Sequence, residues 1–317
     1  MKLKNNPFEN SHDNKRYYTW NHYLKTTFHS KVCKVALNAQ FTCPNRDGTI
    51  AYHGCLFCGE SGAGEQIQAF FEPLEIQYEK NKNRMLKKWP NAKTIAYFQA
   101  YTNTYCSLHT LQATIEPFYI RDDVVALSLA TRADCLEDDK ITYLAKLAKQ
   151  KEIWIELGLQ SIHDNSAKAM HRGHDFACFL DCIKRLQHTN LKICVHLMNS
   201  LPNETQKMMI ASLKRIVQLP IHALKLHMLY IDKHSALGKQ YMQKKFSLLS
   251  FDEYVDTVIK QLEYTPKHII IQRLTGDGDK CTLLAPLWSL NKTAILNAID
   301  KEMVKRNTYQ GKKVANE

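Results

Sequence analysis

No apolar run in this 317-residue chain approaches the roughly 18 residues that a membrane-spanning helix requires. Met1 to Lys15 holds no hydrophobic stretch resembling a secretory signal. A membrane partner is therefore not expected, and the expected compartment is the cytoplasm. Internal repeats, low-complexity linkers and a clear domain boundary are also lacking, so nothing cuts the chain into separate modules. Acidic residues are the scarcer charge, 31 against 43 Lys and Arg, which leaves a formal balance of +12.

Cysteine is not scarce. Ten in a small secreted protein would read as disulfides, but a 36.7 kDa chain with 44% hydrophobic residues can build a core without staples. Reduced thiols or metal ligands are the better reading. Cys178, Cys182 and Cys194 sit among apolar residues, where cysteine acts as a small hydrophobe.

The positive charge is clustered. Residues 1–35 carry seven Lys or Arg against two acids, and Lys80 to Lys93 carries six with no acid. Lys301, Lys305, Arg306, Lys312 and Lys313 add a basic carboxyl end. One such run reads equally well as a solvated face, whereas three together point to a polyanion such as nucleic acid. Lys15 with Arg16, and Lys312 with Lys313, are the expected phosphate contacts.

Short β-branched or aromatic runs alternate with longer amphipathic stretches. Strands are expected at Val32–Leu37, Thr94–Gln99, Val124–Ala130, Ile153–Leu159, Leu191–Leu197 and Ala223–Leu229. Helices are expected at Pro73–Lys88, Leu108–Tyr119, Glu137–Lys149, Phe176–His188, Glu204–Gln218 and Phe251–Leu262. One helix after each strand implies right-handed crossovers and a parallel sheet curled into a full or partial barrel. His268–Leu274 reads as a further strand and Lys292–Arg306 as a terminal helix. The expected organisation is an aromatic and basic arm over residues 1–30, a core over 31–265 and an extension over 266–317. In such barrels the chemistry gathers in the loops after the strands.

There lie Cys43-Pro-Asn-Arg-Asp-Gly48 and Gly54-Cys55-Leu-Phe-Cys58-Gly59. Three thiolates from one loop can cap three corners of an iron–sulfur cube and leave the fourth iron open. Zinc is the alternative, with His53, Cys33 or Cys106 as a fourth ligand. The cysteines alone do not separate the two.

A three-cysteine loop after the first strand of a six-unit α/β chain resembles the radical S-adenosylmethionine (SAM) superfamily. The resemblance implies an α/β fold, a partial (β/α)6 TIM-like barrel, with short N- and C-terminal extensions. It also implies a [4Fe-4S] cluster on Cys43, Cys55 and Cys58, with S-adenosyl-L-methionine on the open iron. The first cysteine gap is eight residues longer than the superfamily's usual one, and in this it resembles the YtqA and YhcC type proteins. Some members of that subfamily look like MnmL, a tRNA wobble-uridine enzyme.

By the same resemblance, Phe57 packs by the adenine. The stretch Tyr97-Phe-Gln-Ala-Tyr-Thr-Asn-Thr-Tyr105 holds the cofactor amino group through Gln99, Thr102 or Asn103, the usual Gly-Gly-Glu being absent. Ser128 and Thr131-Arg-Ala-Asp134 close the third strand. Glu156-Leu-Gly-Leu-Gln160 resembles the ribose-contacting segment of the Elongator catalytic subunit and the oxygen-independent coproporphyrinogen oxidase. Arg172, in Met170-His-Arg-Gly-His174, is the candidate for the cofactor carboxylate. Arg273, Thr275 and Asp277 are candidates for the substrate end. Read singly, Gln99, Ser128 and Gln160 satisfy backbone groups, Arg172 and His174 cap a helix, and His196 and His227 are core histidines.

The resemblance implies reductive cleavage of S-adenosylmethionine to a radical that takes a substrate hydrogen, driven by an electron donor such as flavodoxin or ferredoxin. It further implies a tRNA partner, whose wobble carboxymethylaminomethyl-uridine becomes aminomethyl-uridine, with Tyr101, Tyr105, Tyr230 or Trp288 receiving the base. Two other readings are a radical enzyme on a small metabolite and a zinc-stabilised, non-catalytic RNA-binding protein.

Overall fold

A computed structural model of the chain describes residues 6–11, 13–59, 72–276 and 278–314. Two compact units emerge, each discontinuous in sequence: residues 24–159 with 171–194, which carries the three cysteines, and residues 1–23 with 160–170 and 195–317.

The cysteine unit alternates strand and helix: β1 (Val32–Leu37), β2 (Lys93–Phe98), β3 (Val124–Thr131) and the body of β4 (Glu152–Gln160). Parallel pairing puts Leu37 beside Phe98, Tyr97 beside Ser128 and Ala130 beside Glu156. Between the strands run α2 (Leu74–Leu86), α3 (Leu108–Tyr119) and α4 (Asp138–Leu147), and α6 (Phe176–Leu186) follows β4. The core beneath is Ile95, Phe98, Leu111, Phe118, Leu127, Leu129 and Trp154, all fully buried. Burial of side chains this large contributes about 1.5–3 kcal/mol each. Serine and aspartate start the helices: Ser107 accepts from Thr110 at α3, and Asp175 accepts from Cys178 at α6. Each such cap is worth about 1 kcal/mol.

The second unit holds α5 (Asp164–Ala169), most of β5 (Lys192–Asn199), α7 (Gln206–Ile216), β6 (Ala223–Met228), α8 (Ala236–Met242), α9 (Phe251–Glu263), β8 (Ile270–Arg273) and α10 (Lys292–Lys305). A short antiparallel pair, β7 (Ile231–Asp232) with β9 (Leu283–Ala285), stands apart from the main sheet. The seven main strands follow the order β1-β2-β3-β4-β5-β6-β8. This is the α/β, partial TIM-like barrel class that the strand-helix alternation implies.

Segments near both termini of this second unit are interlaced. The Ile271 amide donates to the Tyr18 carbonyl at 2.8 Å, and Thr19 bridges Ile271 in parallel. Arg16 is buried and donates to the carbonyls of Met303 and Thr308 at 3.5 and 3.3 Å, at the turn that closes the C-terminal end of α10. Lys15 pairs with Asp300, Lys313 pairs with Glu263, and Lys312 donates to the Asn307 carbonyl at 2.8 Å. The expectation that these two basic pairs meet phosphates is therefore corrected for Arg16, whose guanidinium closes a helix end. The helix α1 (Trp20–Phe28) falls within residues expected to form an arm; Trp20, Tyr23, Leu24 and Phe28 share one face, of which only Leu24 is fully buried.

Candidate active site

The long gap between Cys43 and Cys55 folds back on itself. The Cys43 carbonyl accepts the amides of Arg46 and Asp47 at 2.7 and 3.3 Å, and Ile50 donates to the Pro44 carbonyl at 2.8 Å. Gly48 donates to Ala51, Asp47 bridges Tyr52, and Gly54 returns to the Asn45 carbonyl at 2.8 Å. The eight additional residues thus form a closed excursion, and Cys55 comes back beside Asn45. The Cys58 amide then donates to the Cys55 carbonyl at 2.9 Å.

Asn45 ties this loop to the segment after β4. Its amide lies 3.4 Å from Cys55 Sγ, 2.8 Å from the His171 carbonyl and 2.9 Å from the Arg172 carbonyl. Arg172 is buried: Nη1 is 3.7 Å from Cys55 Sγ, Nη2 donates to the Gly158 carbonyl, and Nε is buried with no partner. Arg132 Nη1 is 2.9 Å from the Arg172 carbonyl and 3.9 Å from Cys43 Sγ. A hydrogen bond from Cys58, then the charges of Arg172 and Arg132, hold the Cys55 thiol well below its usual range despite burial. Burial raises the Asp134 carboxyl, yet its hydrogen bonds and ion pair with Arg132 bring it below the ordinary value. His174, pushed down to about 4 by burial and then by Arg172, is a neutral imidazole at pH 7.

Gly173 makes this packing possible. It adopts φ +79°, and a Cβ there would lie 2.3 Å from Asn45 Oδ1. Gly173→Ala is expected to destabilise the protein by roughly 1–3 kcal/mol through backbone strain and to push Asn45 off Cys55. Urea unfolding and iron analysis of the variant check this; an unchanged midpoint with full iron would show that the contact is dispensable.

A buried charge network crosses the strands. Glu156 on β4 is fully buried, accepts Ser128 Oγ at 2.6 Å and pairs with Lys34 Nζ of β1 at 2.5 Å. Lys34 Nζ also lies 4.6 Å from the centre of the Tyr97 ring. Ser128 and Glu156, both candidate cofactor contacts, thus satisfy each other. Lys34, Asn45 and Arg132 were not singled out from the sequence.

The other candidates are more scattered. Asn103 donates to the carbonyls of Phe98, Ala100 and Ala130 at 2.9–3.0 Å, shaping the turn after β2, while its Oδ1 is buried without a partner. Thr102 is buried and donates its amide to the Thr42 carbonyl, Gln99 donates its own to Leu37, and Phe57 is half-buried. Tyr105 hydrogen-bonds Thr49 of the cysteine loop at 2.8 Å, and Tyr101 faces the Arg46 guanidinium at 5.3 Å. In the second unit Gln160 ends β4 at φ +75° with its Oε1 buried and unpartnered. There Arg273 ends β8 half-buried, Thr275 is buried, and Asp277 lies outside the described residues. Trp288 is half-buried and packs on Phe251 and Tyr254.

Among the described residues no three His, Cys, Asp or Glu side chains are gathered closely enough to grip a single ion. Cys43 is joined to the other two thiols through Arg132, Asn45 and the 171–172 backbone. The donors beside Cys43 and Cys55, two guanidiniums and an amide with one guanidinium nitrogen still unpartnered, suit thiolates of an anionic cluster with an anionic ligand beside it.

A profile described as the Radical SAM superfamily matches residues 47–216, more than half of the chain. The chain belongs to the radical SAM superfamily. Its cofactors are accordingly a [4Fe-4S] cluster and S-adenosylmethionine, and a radical SAM enzyme needs an electron donor. A Radical SAM C-terminal domain matches residues 221–305. The uncharacterised protein YtqA of Bacillus subtilis is 43% identical over 310 residues, covering 98% of this chain and 96% of its own. A tRNA uridine(34) acetyltransferase of Methanocaldococcus infernus is 24% identical over 156 residues, 48% of this chain and 29% of that protein. Among solved structures, the archaeal Methanocaldococcus infernus Elp3 shares the fold with a TM-score of 0.66 at 17% identity. The alignment covers 89% of this chain and 64% of that longer one. No helix among the described residues is long and apolar enough to cross a membrane.

Proposed function

We propose that this radical SAM enzyme holds its cluster on Cys43, Cys55 and Cys58 and acts on the wobble uridine of tRNA, converting carboxymethylaminomethyl-uridine to aminomethyl-uridine. The observation that carries the cluster assignment is the set of donors from Asn45, Arg132 and Arg172 converging on the thiols of Cys43 and Cys55. Bound there, the cluster and S-adenosylmethionine would supply reductive cleavage of the sulfonium and abstraction of a substrate hydrogen. The protein's share is to bind and orient. Arg172, with its unpartnered Nε, is suited to the cofactor carboxylate, and the buried Ser128 and Glu156 to its polar groups. A low-potential flavodoxin or ferredoxin would deliver the electron.

Two features support the RNA substrate: the +12 balance and the shared segment with an enzyme named for tRNA uridine 34. Phosphate contacts are best sought on the basic run from the last turn of α2 onward, where Arg84, Lys87, Lys88 and Lys93 are exposed. Replacing Arg84, Lys87 and Lys88 together by Ala should weaken tRNA binding and flatten the log affinity against log salt slope by roughly 0.7 to 0.9 per lost contact. Filter binding across a salt series measures this. The substrate itself is tested by mass spectrometry of tRNA nucleosides from cells with and without the protein. Accumulation of carboxymethylaminomethyl-uridine on deletion is the expected result; unchanged nucleosides, with binding indifferent to salt, would favour a small metabolite.

A further inference from the structure

We propose that Arg132 is a positioning residue that sets the electron affinity of the cluster through Cys43. This rests on the assignment of Cys43, Cys55 and Cys58 as cluster ligands. Arg132 is almost fully buried, and its guanidinium is fixed on three sides. Nε and Nη2 form a forked pair with Asp134 at 2.8 and 2.6 Å, and Nη1 donates to the Arg172 carbonyl at 2.9 Å. The same Nη1, which carries a second hydrogen, stands 3.9 Å from Cys43 Sγ. Cys55 has separate donors, Asn45 and Arg172. Among the described residues Arg132 is the side-chain donor recorded against Cys43.

The consequence follows from charge. One electron from an external reductant takes a [4Fe-4S] core from 2+ to 1+, so with three thiolates the site passes from a net charge of about −1 to about −2. A buried cation and N–H donor beside one thiolate stabilises the more negative state, and buried electrostatics are weakly screened. Asp134 works against it: its carboxylate neutralises part of the guanidinium charge while holding the group in place. Arg132 and Asp134 therefore act on the potential in opposite directions.

That opposition is the test, because a merely structural pair would be damaged the same way from either side. The wild-type protein and the variants Arg132→Met, Arg132→Lys and Asp134→Asn are reconstituted anaerobically, and cluster loading is verified by iron, acid-labile sulfide and visible absorption. The midpoint potential is then measured by mediated electrochemical titration with electron paramagnetic resonance detection. Arg132→Met should lower the reduced-to-oxidised ratio at a fixed potential about tenfold, equivalent to about 59 mV for a one-electron couple. Arg132→Lys should fall between it and the wild type. Asp134→Asn keeps a hydrogen-bonding side chain but removes the opposing charge, and should shift the potential upward. If Arg132→Met does not hold the cluster, the lysine and asparagine variants still carry the comparison. Potentials equal to wild type, or a shift of the same sign in Arg132→Lys and Asp134→Asn, would overturn the proposal. A wild-type protein that takes up no iron and sulfide would instead overturn the cluster assignment on which it rests.

Discussion

Replacing Cys43 by alanine is expected to abolish the brown cluster and, with it, cleavage of S-adenosylmethionine. Cys43 is the sternest test of the ligand set because the superfamily match begins at residue 47, beyond it. Its assignment rests on the loop that returns Gly54 to Asn45 and on the Arg132 contact. With two thiolates left, a second iron of the cube would lose its protein ligand, and such clusters decay rather than persist at partial strength. Cys55→Ala and Cys58→Ala should behave alike. Cys178→Ala, on α6, should keep full iron and sulfide. A Cys43→Ala protein with normal iron, sulfide and cleavage would remove it from the ligand set.

Lys34→Met should be the most destabilising single change outside the cysteine loop. It removes one partner, a cation, from Glu156, a carboxylate with no solvent exposure, and breaking a buried ion pair from one side typically costs about 3–5 kcal/mol. Ser128 still donates to Glu156 and Lys34 is itself 20% exposed, so the lower end of that range is expected. The pH dependence identifies the cause. Removing a cation from beside a buried carboxylate favours its protonated form, so relative to wild type the variant loses more stability as pH rises. The deficit should be largest at neutral pH and should shrink as acid protonates the carboxyl. Urea unfolding of variant and wild type at pH 7.5 and 5.5 measures it. The double variant Lys34→Met, Glu156→Gln should recover most of the loss at both values. A deficit independent of pH would mean that lost packing, not the lost cation, is responsible.

Local pattern carried the fold well and the site only in part. The expected Val32–Leu37 and Leu108–Tyr119 match β1 and α3 at both ends, because β-branched alternation and an N-cap serine are short-range signals. The pair β7 and β9, two and three residues long, is too brief for any period to register. Within the site, loop spacing and family resemblance supplied the cysteines and Arg172. Lys34 escaped, and Arg132 was visible only inside the Thr131-Arg-Ala-Asp134 stretch, because their partners lie 122 and 89 residues away and no one-dimensional period reports such a meeting. Asn45 sat inside the quoted loop, but a lone Asn reads as turn chemistry until its amide is seen against Cys55. Arg16 erred the other way. Beside Lys15 it read as surface charge, whereas the carbonyls ending α10 draw it inside.

The interlacing of Tyr18 and Arg16 with Ile271, Met303 and Thr308 bears on how the chain is made. Every residue of the cysteine unit has been synthesised once Cys194 is added, but the other unit lacks its partners until the final helix emerges. At about 5–20 residues per second, the remaining 123 residues, 317 minus 194, take roughly 6–25 seconds. Within that interval Tyr18 gains its sheet edge only once Ile271 is made, and Arg16 its helix end only once Met303 and Thr308 are made. Ribosome-bound chains stalled near residue 260 should therefore be cut by protease before Trp20, and the same bonds should be protected after release. Equal protection in both would show that the amino-terminal segment finds an earlier partner during synthesis.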